Sequence, residues 1–310
     1  MNNLSDTAPS LRLIYGQSSS SSSSGSASAS ALRRFDPPTQ EGLSQVERET
    51  IARATKEFFT PLRPGQYVNF AEDLLRSAEQ KKLSNGLHAT IWQPRSRLAE
   101  DPALKSALLV HGWCGYSAQL QHFVQPLLDN GLRVVAIDLW GHGLSPGEHS
   151  DCLTFADGIL QAQIELGPFQ HVIGHSLGAA AIVLACHAGL VLDSAVLISP
   201  PSILLVMEYF VAHKGMPAKL LEPMIANGER YVGKSRLEVD TVMLSKRVET
   251  PFLLFHDEKD RRCPIVVSEK LAADKSNRKL IKTNGLGHHH IIESADVVEQ
   301  AVDYIVGKKN

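Results

Sequence analysis

The sequence predicts an α/β protein built on a mainly parallel sheet, and three observations carry that expectation. From residue 78 onward, short apolar runs, several of them rich in β-branched residues, alternate with longer helical stretches, the pattern of successive βαβ units. Most gaps between the runs hold one helix-sized segment, and a single gap, 201–249, is much longer. The chain has 310 residues, which suits one large domain with appendages better than two average ones.

Taken in order, the chain opens on a tail. Residues 17–31, QSSSSSSSGSASASA, have nothing to bury and cannot offset the entropy of ordering, so residues 1–40 are expected to be a flexible Ser-rich tether. Residues 41–77 contain SQVERETIARATKEFF, with Val46, Ile51, Ala54, Phe58 and Phe59 at roughly helical spacing and Pro61 and Pro64 beyond it. This predicts a helix that docks ahead of the core.

The main domain is expected over residues 78–310. AEQKKLSNGLHATIWQP reads as an antiparallel hairpin turning at Asn85-Gly86, a strong local hairpin signal. Strands are then expected in SALLVHG (106–112), LRVVAIDLW (132–140), QHVIGHS (170–176), SAVLISP (194–200), TPFLLFHD (250–257) and NRKLIKT (277–283). With the hairpin they make a sheet of about eight strands. The long gap contains SILLVMEYFVAH, with Ile203, Val206, Met207, Phe210 and Val211 on one face. Structureless loops of that length are uncommon, so residues 201–249 are read as a small helical cap.

Composition narrows the function. Lys and Arg total 31 against 33 Asp and Glu, for a formal net charge of −2, a balance that gives no field to attract nucleic acid or an anionic membrane. A small-molecule substrate is the default. Cys114, Cys152, Cys186 and Cys263 lack the spacing of a disulfide framework or a zinc site. The first residues lack the features of a secretory signal, and no apolar run reaches membrane-spanning length. The expected location is the cytoplasm, with no membrane span.

The chemistry concentrates in HVIGHSLGAAAIVLAC. Gly174-His175-Ser176-Leu177-Gly178 is a G-x-S-x-G pentapeptide running out of a strand and into an Ala-rich helix. A match to three fixed positions arises by chance in roughly one chain in ten of this size, but seldom on a strand-to-helix turn. Such a turn strains its Ser, exposes Oγ, and places helix N-terminal N–H groups beside it. A serine hydroxyl needs an adjacent base, and the base needs a partner that fixes its tautomer. After Ser176 the chain offers Asp257 and Asp260 in FHDEKDRRCP and three histidines in NGLGHHHIIE, 284–293.

On these motifs the chain resembles the α/β-hydrolase family, of the esterase-like kind with a short helical cap, from about residue 78 to the C-terminus. The resemblance implies an α/β-hydrolase fold, with helices on both faces of the sheet. LLVHGWCG is similar to the family's His-Gly loop, and implies that the backbone N–H groups of Trp113 and Leu177 form an oxyanion hole. IDLWGHGLSPG is similar to the stretch D-x-x-G-H-G-x-S, in which Asp138, Gly141, His142, Gly143 and Ser145 shape a loop near the site. The family's His-Gly-x-x-Asp-x-x-Val-Pro, aligned on His256 and Pro264, puts the acid at Asp260. Asp257 stands where Gly is usual and remains a rival, and Cys263 stands where Val is usual. The family's Gly-x-Gly-His puts the base at His288.

The implied activity is that of a serine hydrolase acting on a carboxylic ester or thioester, through Ser176, His288 and Asp260 and an acyl-enzyme. It requires no cofactor and no metal. The apolar face of the cap suggests an apolar substrate group. An acyltransferase using the same three residues, or a non-catalytic ligand-binding protein that keeps the fold, are the rivals. Consecutive side chains point in different directions, so the three histidines cannot all reach one ion. A chelator should therefore leave ester hydrolysis unchanged, and His289→Ala and His290→Ala should each cost far less activity than His288→Ala in the same assay.

Overall fold

The computed structural model describes residues 35–39, 41–63, 72–95 and 104–308. The Ser-rich stretch and Pro64 lie outside the described residues. Phe35, inside the range assigned to the tether, stacks on Tyr231 with ring centroids 4.2 Å apart. Packing therefore reaches back to Phe35, ahead of residue 41.

The chain enters through α1 (Gln45–Phe58) and α2 (Glu72–Arg76), then forms β1 (Glu79–Lys82), β2 (His88–Trp92) and β3 (Ser106–Val110). Next come α3 (Gln121–Asp129), β4 (Arg133–Asp138), α4 (Cys152–Leu166), β5 (His171–His175), α5 (Leu177–His187) and β6 (Ser194–Ile198). The long connection holds α6 (Ile203–His213), α7 (Leu221–Val232) and α8 (Thr241–Ser245). The chain closes with β7 (Phe252–Asp257), α9 (Val266–Ala273), β8 (Arg278–Thr283), α10 (Gly287–His290) and α11 (Ala295–Val306). No helix among the described residues is long and apolar enough to cross a membrane.

The strands form one eight-stranded sheet in the order β1-β2-β4-β3-β5-β6-β7-β8. β2 pairs antiparallel with β1 and β4, and the other pairs are parallel. The predicted hairpin is present: Gly86 takes φ +94°, and Leu83 closes the turn through bonds with Gly86 and Leu87, each 2.8 Å. β3, β5, β6 and β7 are buried along their whole length because helices cover both faces, which is why they read as continuous apolar runs. Side chains of α4, α5 and α9 pack on one face, and those of α3 and α11 on the other. β1 is an edge of Glu, Gln and Lys, exposed throughout, a composition that discourages further pairing.

The order places β3 between β4 and β5, so the chain leaves β3 to one side and returns on the other. Ligands of such sheets bind where the connections part, outside the carboxyl ends of the strands. His111-Gly112 follow β3, Ser176 follows β5, Asp260 follows β7 and His288 follows β8.

The N-terminal helix docks, but on the cap and not on the sheet. Ser44 and Glu47 form a capping box at its start, and Ile51 and Ala54 pack with Met207, Val211, Met224 and Ile225. Val46, assigned to the same apolar face, is exposed. Beyond the helix, the Arg63 guanidinium donates to the carbonyls of Gly141, Gly143, Ser145 and Gly147 at 2.6 to 3.2 Å. One charged group thus gathers the loop after β4.

Helix α5 lies unusually close to the sheet. A Cβ on Gly178 would fall 2.5 Å from the carbonyl oxygens of Val110 and His111, and one on Gly174 would fall 2.5 Å from Ile182 Cδ1. Backbone closes in at both positions, since a Cβ on Gly174 would also fall 2.9 Å from Ala179 N, so neither could be accommodated without moving helix or strand. Gly178→Ala should destabilise the protein by about 1–3 kcal/mol, read as a lowered melting temperature; an unchanged melting curve would contradict this packing.

Candidate active site

Ser176 sits at the turn from β5 into α5 with φ +52° and ψ −123°, a backbone region that L-residues rarely adopt and that costs of order 1–3 kcal/mol. Its own N–H is held by the carbonyl of Ile198 at 2.8 Å. Gly112 lies directly against it, since a Cβ there would be 3.0 Å from Ser176 Cβ. The loop after β3 can approach only because residue 112 has no side chain.

The loop from 112 to 117 is fixed on several sides. Gly112 N–H donates to Gln119 Oε1 at 2.7 Å, and Cys114 N–H donates to His142 Nε2 at 3.1 Å. The Asp138 carboxylate accepts from the N–H groups of Ser117 at 2.5 Å and Leu144 at 2.8 Å. Ser145 Oγ accepts from His88 N–H at 2.8 Å and donates to the Asp138 carbonyl. Gly143 takes φ +49°, and a Cβ there would meet the Asp138 carboxyl at 2.1 Å. Asp138, His142, Gly143 and Ser145 thus hold the loops beside Ser176 in place. Burial lowers the pKa of His142 to about 3, so it stays neutral and its Nε2 keeps accepting.

His288 reaches Ser176 from the far end of the sheet. Its Nε2 is 3.0 Å from Ser176 Oγ, and its Nδ1 is 2.7 Å from Asp260 Oδ2. The other Asp260 oxygen accepts from the N–H groups of Arg262 at 2.8 Å and Cys263 at 2.9 Å. Burial works to raise the Asp260 pKa, but the His288 bond and the Cys263 and Arg262 N–H groups outweigh it and hold the carboxyl below its ordinary value. The group that faces His288 is therefore ionised at neutral pH.

Asp257 is also buried, but it faces elsewhere. Its carboxylate accepts from Lys259 N–H at 2.9 Å, Thr283 Oγ1 at 2.8 Å, Gly285 N–H at 3.2 Å and Leu286 N–H at 2.9 Å. It is a turn carboxylate that ties the end of β7 to the segment leading into His288.

Of the three histidines only His288 meets Ser176 and Asp260. The run forms the one-turn helix α10 rather than an open loop, entered through Gly287 at φ +63°. His290 is exposed and pairs with Glu293 at 3.0 Å. His289 stands beside His288 with ring centroids 5.2 Å apart, and burial followed by repulsion from His288 lowers its pKa. Among the described residues, the group able to hold a metal ion is Asp260, Cys263 and His288, which takes one histidine from the run and leaves two.

Sequence reasoning missed two contributors. His175 Nε2 lies 2.8 Å from the carbonyl oxygen of His288. A carbonyl only accepts, so Nε2 carries the proton and His175 anchors the backbone of His288. Burial, then repulsion from His288, lowers its pKa to about 3, and the ring stays neutral. The second is the end of α1, where Phe58 and the following Phe59 line a cavity of about 470 Å³ together with Ser176, His288 and, from α6, Met207 and Phe210. The order G-H-S hinted at the first; nothing in the sequence pointed to the second. Cys114 also lines this cavity and accepts from Leu62 N–H at 3.3 Å. Burial raises its pKa, which suits a packed thiol and not a nucleophile.

Comparison with known proteins bears on the fold. The model of the alpha/beta hydrolase family matches residues 107–242. A serine hydrolase-like protein of Dictyostelium discoideum is 36% identical over 105 residues, 31% of this chain and 27% of that protein; the chain thus spans about a quarter of that relative's length. Among solved structures, ferulic acid-bound Est1E from Butyrivibrio proteoclasticus superposes with a TM-score of 0.57 at 18% identity, over 74% of this chain and 99% of the other. An esterase of Pyrococcus furiosus gives 0.54 at 20% identity, over 80% and 97%. The thioesterase domain from the curacin biosynthetic pathway gives 0.52 at 18%, over 73% and 99%. At such identities the likeness is one of fold, and the fold is that of the α/β hydrolases.

The hydrogen bonds of Asp257 have a pH signature. Burial opposes its ionisation, but the bonds from Leu286, Thr283 and Lys259 overcome it and lower the pKa to about 2. A depressed carboxyl contributes stability in full above its unfolded pKa of about 3.9 and loses it as pH falls through the folded value. Melting temperatures taken from about pH 5 down to about pH 2 should fall less steeply for Asp257→Asn than for the wild type; parallel curves would contradict this role.

Proposed function

We propose that this chain, which has the α/β-hydrolase fold and matches the family model over residues 107–242, is a serine hydrolase that cleaves a carboxylic ester or thioester through an acyl-enzyme. The observation that carries the reading is the unbroken line from Ser176 Oγ through His288 to Asp260, with contacts of 3.0 Å and 2.7 Å. His288 removes the Ser176 proton as Oγ attacks the carbonyl, and Asp260 holds the ring in the tautomer that leaves Nε2 free to accept. The same ring then protonates the leaving alcohol or thiol, and water repeats the sequence to release the acid.

The oxyanion donors in this reading are the N–H groups of Trp113 and Leu177. Leu177 opens α5, where helix N–H groups point outward. Trp113 follows Gly112, which lies against Ser176. Each such donor contributes on the order of 3 kcal/mol to the transition state. The cavity's aromatic and aliphatic walls from α1 and α6 support an apolar acyl or alcohol group. Cys114, Cys152, Cys186 and Cys263 are free thiols, which fits a reducing compartment and the cytoplasm.

A panel of esters and thioesters of graded acyl length tests the proposal. Ser176→Ala and His288→Ala should lower kcat by about 10⁴-fold or more, and Asp260→Asn by about 10⁴-fold, with Asp257→Asn costing much less. A fluorophosphonate probe should add its mass to the wild type and not to Ser176→Ala. Full activity in Ser176→Ala would sink the proposal, and a larger loss in Asp257→Asn than in Asp260→Asn would overturn the choice of acid.

A further inference from the structure

Cys263 stands where hydrolases of this pattern usually have Val, and its surroundings give that difference a consequence. The side chain is buried, at 3% exposure, yet it lines the cavity that contains Ser176 and His288. Its backbone N–H donates to Asp260 Oδ1 at 2.9 Å, so the turn that presents the acid also presents the thiol. Potential ligand atoms of Asp260, Cys263 and His288 all lie within 4.8 Å of one another.

A thiolate, an imidazole and a carboxylate form a donor set suited to Zn²⁺, with bonds of about 2.0–2.3 Å. Ligand atoms around a tetrahedral ion at those bond lengths stand roughly 3.3–3.8 Å apart. The present ligand atoms lie within 4.8 Å of one another, with Asp260 Oδ2 and His288 Nδ1 at 2.7 Å, so the acid and the ring would part slightly to admit an ion. The soft sulfur favours Zn²⁺ and Cd²⁺ over Mg²⁺ and Ca²⁺, which prefer oxygen.

We propose that Asp260, Cys263 and His288 form an inhibitory site for a thiophilic divalent cation of the Zn²⁺ class, with water or the Ser176 hydroxyl in the fourth position. The ion bonds to the thiolate as the thiol proton passes to solvent water. Either ring nitrogen of His288 can bind it with the same result. Ligation through Nδ1 separates the ring from Asp260, and ligation through Nε2 takes the lone pair that would accept the Ser176 proton. The inhibition rests on the hydrolase reading, whereas the binding does not, so the two are measured separately.

Binding is read on the purified full chain with Cd²⁺ as the probe, through its sulfur-to-metal charge-transfer band in the ultraviolet. The expected result is one Cd²⁺ per chain in the wild type and in Cys114→Ser, with the band lost in both Cys263→Val and Cys263→Ser. The two replacements differ in polarity and shape, so a folding defect in one leaves the other to decide, and circular dichroism identifies which is intact. Inhibition is read with Zn²⁺ against ester hydrolysis, each variant relative to its own metal-free rate. EDTA should restore the Zn²⁺-treated wild type, Mg²⁺ and Ca²⁺ should have no effect, and loss of the thiol should raise the half-inhibitory Zn²⁺ concentration at least about tenfold. A wild type without the band, a band that survives in a folded Cys263 variant, or equal inhibition of wild type and variant would overturn the site. Cd²⁺ binding as expected in a protein that hydrolyses none of the esters would support the site and overturn the hydrolase reading instead.

Discussion

Ser176 holds a conformation that an L-residue rarely adopts because α5 lies on the carbonyls of β3 with no side chain between them. Gly178 would place a Cβ 2.5 Å from the oxygens of Val110 and His111, and the absence of that atom lets the helix start immediately after the turn. With the helix so close, Ser176 is squeezed to φ +52° while its N–H remains bonded to Ile198. The strain is local and the restraint is distributed, which is how such positions persist in a stable fold. From this turn follow the exposure of Oγ to the cavity, the placement of Leu177 at a helix start, and the fit of Gly112 against the serine.

The opposite half of the site depends on two aspartates with separate tasks. Asp257 gathers Thr283, Gly285, Leu286 and Lys259, bringing the segment ahead of His288 to the end of β7. Asp260 has one oxygen saturated by backbone N–H groups and turns the other to His288. Both are ionised for the same reason, hydrogen bonds that outweigh burial. His175 adds a third restraint, from the strand that leads into Ser176, by bonding the carbonyl of His288. The residues around Ser176 thus hold His288 by its ring and by its backbone.

The cavity is assembled from distant parts of the chain. Phe58 and Phe59 come from the end of the N-terminal helix, Met207 and Phe210 from the insertion between β6 and β7, and Ser176 and His288 from beyond the ends of β5 and β8. Helical spacing was enough to foresee α1 and α6 as amphipathic helices. It did not say that their apolar faces meet each other, since periodicity marks a buried face and is silent about its partner. For the same reason Val46 belonged to the pattern and yet lies exposed, while Arg63, with no periodic neighbours to mark it, gathers four carbonyls of the loop after β4.

The sequence by itself determined the strands and their order along the chain, the Asn85-Gly86 turn, the strained serine between two glycines, and a short choice of acid and base. These are local properties: β-branched runs, glycine where a Cβ cannot fit, and residue types whose chemistry is intrinsic. The tertiary structure decided what depends on distance across the chain. It set Asp260 against His288 and turned Asp257 to the backbone, although the two acids are only three positions apart and their chemistry is the same. It also resolved the triple histidine, directing His288 inward to Ser176 and Asp260 and His290 to Glu293 at the surface. The packing of β5 and β8 into one sheet brings His288 within hydrogen-bond reach of His175 and Ser176, more than a hundred positions away.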